Sequence, residues 1–302
     1  MGIGIDFQEM KAEATEELTN FYLSISEFGR KNILTNQEHL AWKHIDNPAG
    51  KSIFVRIFEG EQIIGVMFFQ KNYRELSRKK DLYFLVTDFA ISERYRSLKM
   101  VLEVWDQGIK YINKRFPNTP IVHSSNVKSE PIYNRFFKEL KETTITPTIF
   151  CPKKIKGNSV KPIEELNIFN DEIYNEWRWG EKSKRKYIKL VNKKDNQIIL
   201  VATIKKLFGL RILIILDFDG NYFVANKPAI IFKLLILCIR HFSFLPLFYI
   251  NKEKDKSYSD YRQNFKNMPK ILTYYSFPIY VHNNEKFTGT DYSIKLSVLD
   301  VL

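Results

Sequence analysis

Carboxylate, imidazole and phenol side chains occur near the ends of neighbouring apolar segments, where they could move protons. Asp88 lies late in the segment LYFLVTDFAI, His123 late in IVHSSN, and Tyr133 in the segment that follows. A carboxylate or imidazole can accept a proton, and a phenol can protonate a departing anion. Each also has a structural alternative: an aspartate that bonds backbone, a satisfied core histidine, or a tyrosine that packs a helix.

The turn that follows LYFLVTDFAI has the features of a phosphate site. A strand that enters a helix through a tight turn brings free N–H groups and the positive helix end to one point. Arg96 and Lys99 lie on this turn, and Ser97 can cap the helix. The next strand ends at Asn126, and Tyr133 follows one to two helical turns later. We predict a site for a diphosphate, with the Asn126 amide and the Tyr133 phenol directed at another part of the same ligand.

One order of elements occurs twice along the chain, which indicates a duplication. Trp42 precedes the hairpin SIFVRIFEGEQIIGVMFFQK, and Trp177 and Trp179 precede the similar hairpin KYIKLVNKKDNQIILVATIKK. The next strands, LYFLVTDFAI and LRILIILDFDG, align Asp88 with Asp217. Strands that alternate with helices in this order predict an α/β chain, with a mixed sheet flanked by helices in each half.

The chain of 302 residues is long enough for two domains. The proline-containing and basic segment TPTIFCPKKIKGNSVKP reads as a linker. We predict domains at 1–160 and 161–302. The second half has no arginine before its helix, so we assign the anionic ligand to the first. The second domain then helps to form an acceptor cleft, because ligand sites favour domain interfaces.

These motifs resemble the GNAT superfamily of N-acetyltransferases. In that superfamily the phosphate loop reads Arg/Gln-x-x-Gly-x-Gly/Ala, and the second helix reads Asn-x-x-Ala/Ser-x-x-x-Tyr. The helix motif matches at Asn126, Ser129 and Tyr133, whereas the loop matches at Arg96 and lacks the glycines. The resemblance implies two tandem GNAT-like domains and acyl-CoA as co-substrate. The implied CoA contacts are Phe89, Ala90, Ile91, Arg96, Ser97, Leu98, Lys99, Met100, Asn126, Ser129 and Tyr133.

With this resemblance the proton-moving residues acquire roles in acyl transfer. The amine must lose a proton and the leaving thiolate must gain one. We predict Asp88 as the base or amine-orienting group, with His123 as the alternative base. We predict Tyr133 as the general acid.

The segment AWKHIDNPAG resembles a Trp-Lys-aromatic...Asn-Pro-x-Gly pattern in superfamily members associated with polysaccharide genes. The resemblance implies acceptor contacts from Trp42, His44 and Asn47. It implies transfer of a 3-hydroxybutanoyl or acetyl group from CoA to the amine of a nucleotide-linked (dTDP) aminodeoxysugar, for O-antigen, lipopolysaccharide or capsule. Two alternatives stay open: an aminoacyl-tRNA-dependent transferase of the peptidoglycan-bridge type, and a non-catalytic binding protein on a GNAT-like scaffold.

The formal net charge of +13 predicts an anionic partner, and CoA and a nucleotide sugar both qualify. Few aromatic residues interrupt the lysine runs, so we do not expect nucleic acid as partner. The two cysteines, Cys151 and Cys238, form no zinc motif or disulfide framework, and we predict no metal.

The apolar stretch over residues 229 to 248 contains Lys233 and Arg240. Charges of this kind are costly at a bilayer centre, so we predict a buried helix and strand instead of a membrane span. Reversible contact with a membrane surface stays an alternative. The start of the chain shows no secretory signal, and we expect a cytoplasmic protein.

Overall fold

The computed structural model describes residues 2–25, 32–76, 79–125, 129–137, 140–150, 172–192, 197–207, 209–218, 227–243, 246–251, 265–267 and 277–282. Its α-helices in these ranges are α1 (Ala14–Ser24), α2 (Gln37–His44), α3 (Leu98–Arg115), α4 (Glu130–Phe136), α5 (Glu172–Trp179) and α6 (Lys227–Arg240). Its strands there are β1 (Ile3–Glu9), β2 (Ile53–Glu59), β3 (Gln62–Leu76), β4 (Lys79–Ile91), β5 (Ile121–Ser124), β6 (Lys141–Phe150), β7 (Ile188–Val191), β8 (Ile198–Leu207), β9 (Leu210–Phe218), β10 (Pro246–Asn251), β11 (Phe265–Asn267) and β12 (Phe277–His282).

Spatial contacts divide the chain into two compact units, and each draws on both halves of the sequence. The first unit holds the described residues up to His123, with α5 and the end of β12. The second holds α4, α6, the strands from β6 to β11 and most of β12. The predicted boundary near residue 160 lies outside the described residues and stays a prediction.

In the first unit, strands β1 to β4 form an antiparallel meander, and β5 joins β4 in parallel. Successive side chains of a strand point to opposite faces of the sheet. Phe68 accordingly packs in the cluster formed with α1 and α2, whereas Met67 and Phe69 meet Gly108 of α3. A Cβ on Gly108 would lie 2.8 Å from the Phe69 ring, so glycine permits this close approach. The helices therefore cover both faces.

In the second unit, β7 to β9 form a second antiparallel meander, and β10 joins β9 in parallel. Strand β6 lies antiparallel to β10, and both β11 and β12 pair with β6. Ile230 and Leu234 of α6 pack against the β8 and β9 side chains in a buried cluster. Each unit thus has a mixed sheet with helices on it, and the predicted α/β class is confirmed.

Matching β-bulges in the two units support the predicted duplication. An extra residue, Ile64, interrupts the pairing of β2 with β3, and Ile199 does the same between β7 and β8. Each meander then has a second bulge one strand later. Bulges fix strand register and are features of a fold, so their recurrence at matching places indicates a common origin.

The same bulges correct one detail of the sequence alignment. Counted from the first bulge of each meander, Val66 corresponds to Val201. Val66 pairs with Ala90, whereas Val201 pairs with Asp217. Asp217 is therefore the counterpart of Ala90, and its predicted alignment with Asp88 is wrong.

Candidate functional site

Strand β4 bulges at Asp88, the residue predicted as base or amine-orienting group. Thr87 pairs with Phe68 and Ala90 with Val66, so two β4 residues lie opposite one residue of β3. Asp88 has φ of +51°, a left-handed conformation that aspartate tolerates better than most residues. The bulge sends the Asp88 carboxylate to α2, while the adjacent Phe89 ring packs edge-on against Trp105 of α3.

Two basic residues from the last turn of α2, Lys43 and His44, contact the Asp88 carboxylate. The Lys43 ammonium lies 2.7 Å from Oδ2, and His44 Nε2 lies 2.9 Å from the same oxygen. Lys43 is 2% exposed and His44 is fully buried. The side chain of Asn36 caps the start of α2 by accepting from His39 N–H. Basic residues at the other end suit the helix dipole, so α2 is built to present them.

The cluster extends to Ser52 and Tyr22. Ser52 Oγ lies 3.0 Å from His44 Nδ1, and the Tyr22 hydroxyl donates to the Asp88 carbonyl oxygen at 3.1 Å. Burial, together with the nearby Asp88 charge, raises the pKa of Tyr22 well above its usual value, so the phenol remains a donor. We call Lys43, His44, Ser52, Tyr22 and Asp88 the Asp88 cluster.

A serine, a histidine and an aspartate in this order also occur in hydrolases. There the serine hydroxyl must meet a substrate carbonyl. Ser52 is fully buried, and its backbone is held by bonds from Ser52 N–H to His44 O and from Met10 N–H to Ser52 O. The arrangement therefore supports an anchoring role for His44 and gives no support to serine hydrolysis.

Asn47 and Gly50 form the turn that joins α2 to β2. The Asn47 carboxamide accepts from Ala49 N–H at 2.9 Å and donates to Lys71 O at 2.8 Å. Gly50 has φ of +106°, which favours glycine. Trp42, His44 and Asn47 are all buried among protein groups, and the acceptor contacts predicted for them stay a prediction.

Arg96 closes the turn between β4 and α3. Its guanidinium donates to the Ile91 carbonyl oxygen, at 3.1 Å from Nη2 and 3.4 Å from Nε. The Tyr95 hydroxyl donates to Glu59 at 2.6 Å, which ties the turn to the β2–β3 hairpin. This bond, more than any other cause, raises the pKa of Tyr95. The turn predicted to bind phosphate is thus held in a defined shape.

The N-terminus of α3 is exposed and basic. Ser97 accepts from Met100 N–H at 3.2 Å, as predicted for the cap. Leu98 and Lys99 are exposed, and the first turn contains no acidic residue. N–H groups in a first turn have no partner within the helix, so this end can receive an anion.

The ladder between β4 and β5 is short. Phe84 pairs with Ile121 and Leu85 with Val122, where the described pairing of these strands ends. Strand β4 itself continues to Ile91. Beyond Leu85, none of the described strand pairs joins β4 to β5 along this edge. That edge includes Phe89 and Ala90, two predicted CoA contacts.

His123 lies away from Asp88, on the face of the first sheet that carries α3. Its ring is 4.6 Å from the Trp105 ring, and its Nε2 lies 3.2 Å from His282 Nε2. Burial, aided by His282, holds the pKa of His123 well below its usual value of 6.5, and burial lowers that of His282 to about 4. Both imidazoles are thus neutral in the folded protein near pH 7.

We expect the stability of the protein to fall as pH decreases from about 6.5 to about 4. The neutral pair binds fewer protons when folded than when unfolded. The free energy of unfolding therefore falls by up to about 1.4 kcal/mol per pH unit for each histidine as pH decreases. Urea unfolding across this range measures the slope. His282→Gln should flatten it, and an unchanged slope in that variant would contradict the assignment.

The remaining predicted residues belong to the second unit. Tyr133 lies in α4 and is buried, with its ring 5.4 Å from Phe137 and 5.3 Å from Tyr280. Ser129 precedes α4 at its N-cap position. Asn126 lies outside the described residues. The catalytic and CoA-binding roles of these residues stay predictions.

Sequence reasoning missed several members of this site. Lys43 stood in the Trp-Lys-His motif without a role, and Tyr22, Ser52 and His282 were not singled out. The only trace in the sequence is the adjacent Lys43 and His44 next to Trp42, since basic residues that become buried need an acidic partner. The sequence alone could not say which acid.

Within the described ranges, no group of three or more metal-binding side chains lies close enough to hold an ion. In the same part of the chain, no helix has both the length and the apolar character to cross a bilayer.

No protein family model matches the sequence, and no curated protein matches it. Solved structures do match. A conserved protein of unknown function from Enterococcus faecalis V583, a probable N-acyltransferase, has 10% identity and a TM-score of 0.52, over 92% of this chain and 72% of that one. A tandem GNAT protein from the clavulanic acid biosynthesis pathway has 10% identity and a TM-score of 0.48, over 92% and 98%. An acyl-CoA N-acyltransferase from Pseudomonas aeruginosa has 8% identity and a TM-score of 0.34, over 52% and 93%.

Identities this low show the fold alone. The likeness to the Enterococcus faecalis protein extends over nearly the whole chain, in agreement with the duplicated meanders described above. The predicted fold, two tandem GNAT-like domains each with a mixed β-sheet flanked by helices, is confirmed.

Proposed function

We propose that this chain is an acyl-CoA-dependent N-acyltransferase. One observation carries the proposal: β4 continues beyond its last described pair with β5, and the turn that follows it, which Arg96 closes, leads into the exposed, basic N-terminus of α3. A strand edge can bind an extended ligand through backbone hydrogen bonds. A helix N-terminus can bind a diphosphate. CoA has both parts, a pantetheine arm with amides and a diphosphate.

In this proposal the pantetheine arm lies along the β4 edge at Phe89 and Ala90. The diphosphate lies at the first turn of α3, near Leu98 and Lys99. Arg96 already donates to Ile91 O, so it both shapes the turn and brings a positive charge beside it. The loop glycines of the superfamily are replaced here by larger residues. The N-terminus of α3 and the charges of Arg96 and Lys99 therefore provide the contacts to the diphosphate.

The Asp88 cluster positions the bulge that bends β4 at this edge. The Asp88 carboxylate accepts hydrogen bonds from Lys43 and His44. Of its two predicted roles, we therefore assign Asp88 that of orienting the acceptor amine. His123 stays the alternative base, since a neutral imidazole can accept a proton. Tyr133 is proposed to protonate the leaving thiolate. Proximity of amine and thioester supplies the rest of the rate.

The proposed acceptor is the amine of a nucleotide-linked aminodeoxysugar, and the proposed acyl group is 3-hydroxybutanoyl or acetyl. Two features support an anionic acceptor of this kind. The net charge of +13 attracts anionic ligands, and the Trp42 to Gly50 segment resembles that of enzymes associated with polysaccharide genes.

We expect the protein to bind acetyl-CoA or 3-hydroxybutanoyl-CoA, and Arg96→Ala to weaken that binding about tenfold or more. Loss of a charged group beside a diphosphate removes a strong hydrogen bond or ion pair. Calorimetric titration with both esters and with free CoA measures the effect. The preferred ester also identifies the acyl group.

Lys110→Ala is the matched control, because it removes one positive charge from an exposed site further along α3. Equal losses in both variants would point to general charge attraction, against a defined diphosphate site. Release of free thiol with a dTDP-aminosugar then tests the acceptor. Absence of binding to all three CoA compounds would contradict the proposal.

A further inference from the structure

Helix α6 is apolar on two opposite faces. One face packs Ile230 and Leu234 into the core of the second unit. The other face is exposed, with Phe232 at 66%, Leu235 at 55%, Ile236 at 45% and Ile239 at 74%. Phe242, just beyond the helix end, is 84% exposed. We call these five exposed residues the α6 stripe.

The α6 stripe is continuous. Its four members within the helix lie one, three, four or seven residues apart, which places them on one side of the helix, and Phe242 follows three residues after Ile239. Folded monomers rarely expose contiguous apolar surface of this kind unless it contacts another surface. The stripe therefore needs an occupant.

Charge around the stripe indicates which occupant fits. Lys233 and Arg240 are seven residues apart, so they follow the same border of the stripe. Between Gly220 and Lys252 the sequence contains no aspartate or glutamate. A second copy of the chain would bring the same positive charges against this face. An anionic lipid surface would bring the opposite charge and an apolar layer beneath it.

We propose that α6 lies on an anionic membrane surface, with the α6 stripe in the boundary between headgroups and acyl chains. The 14 residues of α6 span about 21 Å at 1.5 Å per residue, which is too short to cross a hydrocarbon core of about 30 Å. The helix therefore lies in the plane of the surface. Lys233 and Arg240 reach to lipid phosphates along its border. This inference does not depend on the proposed function.

Co-sedimentation with vesicles tests the proposal. We expect the full chain to bind vesicles of about one part phosphatidylglycerol to two parts phosphatidylcholine, and to bind pure phosphatidylcholine at least about tenfold more weakly. The double variant Ile239→Ser, Phe242→Ser should lose about tenfold or more in binding, because it removes two exposed apolar side chains that the lipid would cover. Arg240→Glu should weaken binding to the anionic vesicles specifically.

Ile173→Ser is the matched control. Ile173 is 72% exposed, close to the 74% of Ile239, but it lies on α5. All these changes are at exposed positions, so we expect thermal midpoints close to that of the parent chain. Retained binding in the double variant, or equal loss in the control, would overturn the proposal. A third result would also overturn it: a parent chain that forms a stable dimer and does not bind vesicles, with a double variant that is monomeric. A second copy would then cover the α6 stripe.

Discussion

Replacement of Lys43 by methionine is expected to lower the free energy of unfolding by about 3–5 kcal/mol. The Lys43 ammonium lies 2.7 Å from Asp88 Oδ2, and the two side chains are 2% and 10% exposed. Methionine preserves most of the packing volume. It removes the charge that compensates Asp88, and a buried carboxylate then loses a partner without gaining water. Urea denaturation measures the change.

Lys110 provides a control, because its ion pair has the same nitrogen-to-oxygen distance as the Lys43–Asp88 pair. Its ammonium also lies 2.7 Å from a carboxylate, that of Asp106, but these side chains are 74% and 58% exposed. Lys110→Met should cost about 0.5 kcal/mol or less, as for other exposed pairs within a helix. If both lysine replacements cost the same, the Lys43 pair would behave as a solvated pair and the prediction would be wrong.

A double-mutant cycle separates the ion pair from packing. Asn suits the left-handed backbone of position 88, so Asp88→Asn removes the charge with little backbone effect. Asp88→Asn alone leaves the Lys43 ammonium buried without its counter-charge. The double variant Lys43→Met, Asp88→Asn leaves neither charge, so we expect it to lose less stability than the sum of the single variants.

The sequence predicted the meanders and missed their bulges, for a physical reason. Gly60 marked the first hairpin, and the structure ends β2 at Glu59 and begins β3 at Gln62. The bulge at Asp88 has no glycine to signal it. Contacts from α2 and Tyr22 hold the left-handed backbone there, and these contacts are distant in sequence. Because a bulge shifts register, the alignment of Asp217 with Asp88 failed as well.

The candidate site was predicted in outline. The strand, the turn and the capped helix from Asp88 to Met100 lie where the motif order placed them. The sequence did not reveal that Asp88 and His123 face different helices, because side-chain direction at a bulge departs from simple alternation. Nor did it show that His44 anchors Asp88, since a polar residue in a motif can serve a ligand or the fold equally well.

Replacement of Trp42 by alanine is the second change expected to have a large effect, a loss of about 3–5 kcal/mol. Trp42 is 1% exposed and stacks on Trp177, with ring centroids 5.3 Å apart. Each indole N–H donates to the carbonyl oxygen of the other residue. The two residues thus exchange reciprocal hydrogen bonds, and Trp42→Ala removes both the ring stacking and one of these bonds.

The loss should appear first as release of the segment from α5 to Arg185. That segment is held to the first unit by the Trp42–Trp177 contact and by His39, whose Nδ1 lies 3.1 Å from Ser183 O. Because trypsin cuts after lysine and arginine only where the chain can open, its cleavage near Arg185 should accelerate in Trp42→Ala.

Trp42→Phe keeps a stacked ring without the N–H, so its cleavage rate should lie between those of the parent chain and Trp42→Ala. Ile173→Ala, on the same helix but 72% exposed, should leave cleavage unchanged. If trypsin cut Trp42→Ala no faster than Ile173→Ala, other contacts would hold the segment. The Trp42–Trp177 contact would then be a consequence of the position of the segment and not its cause.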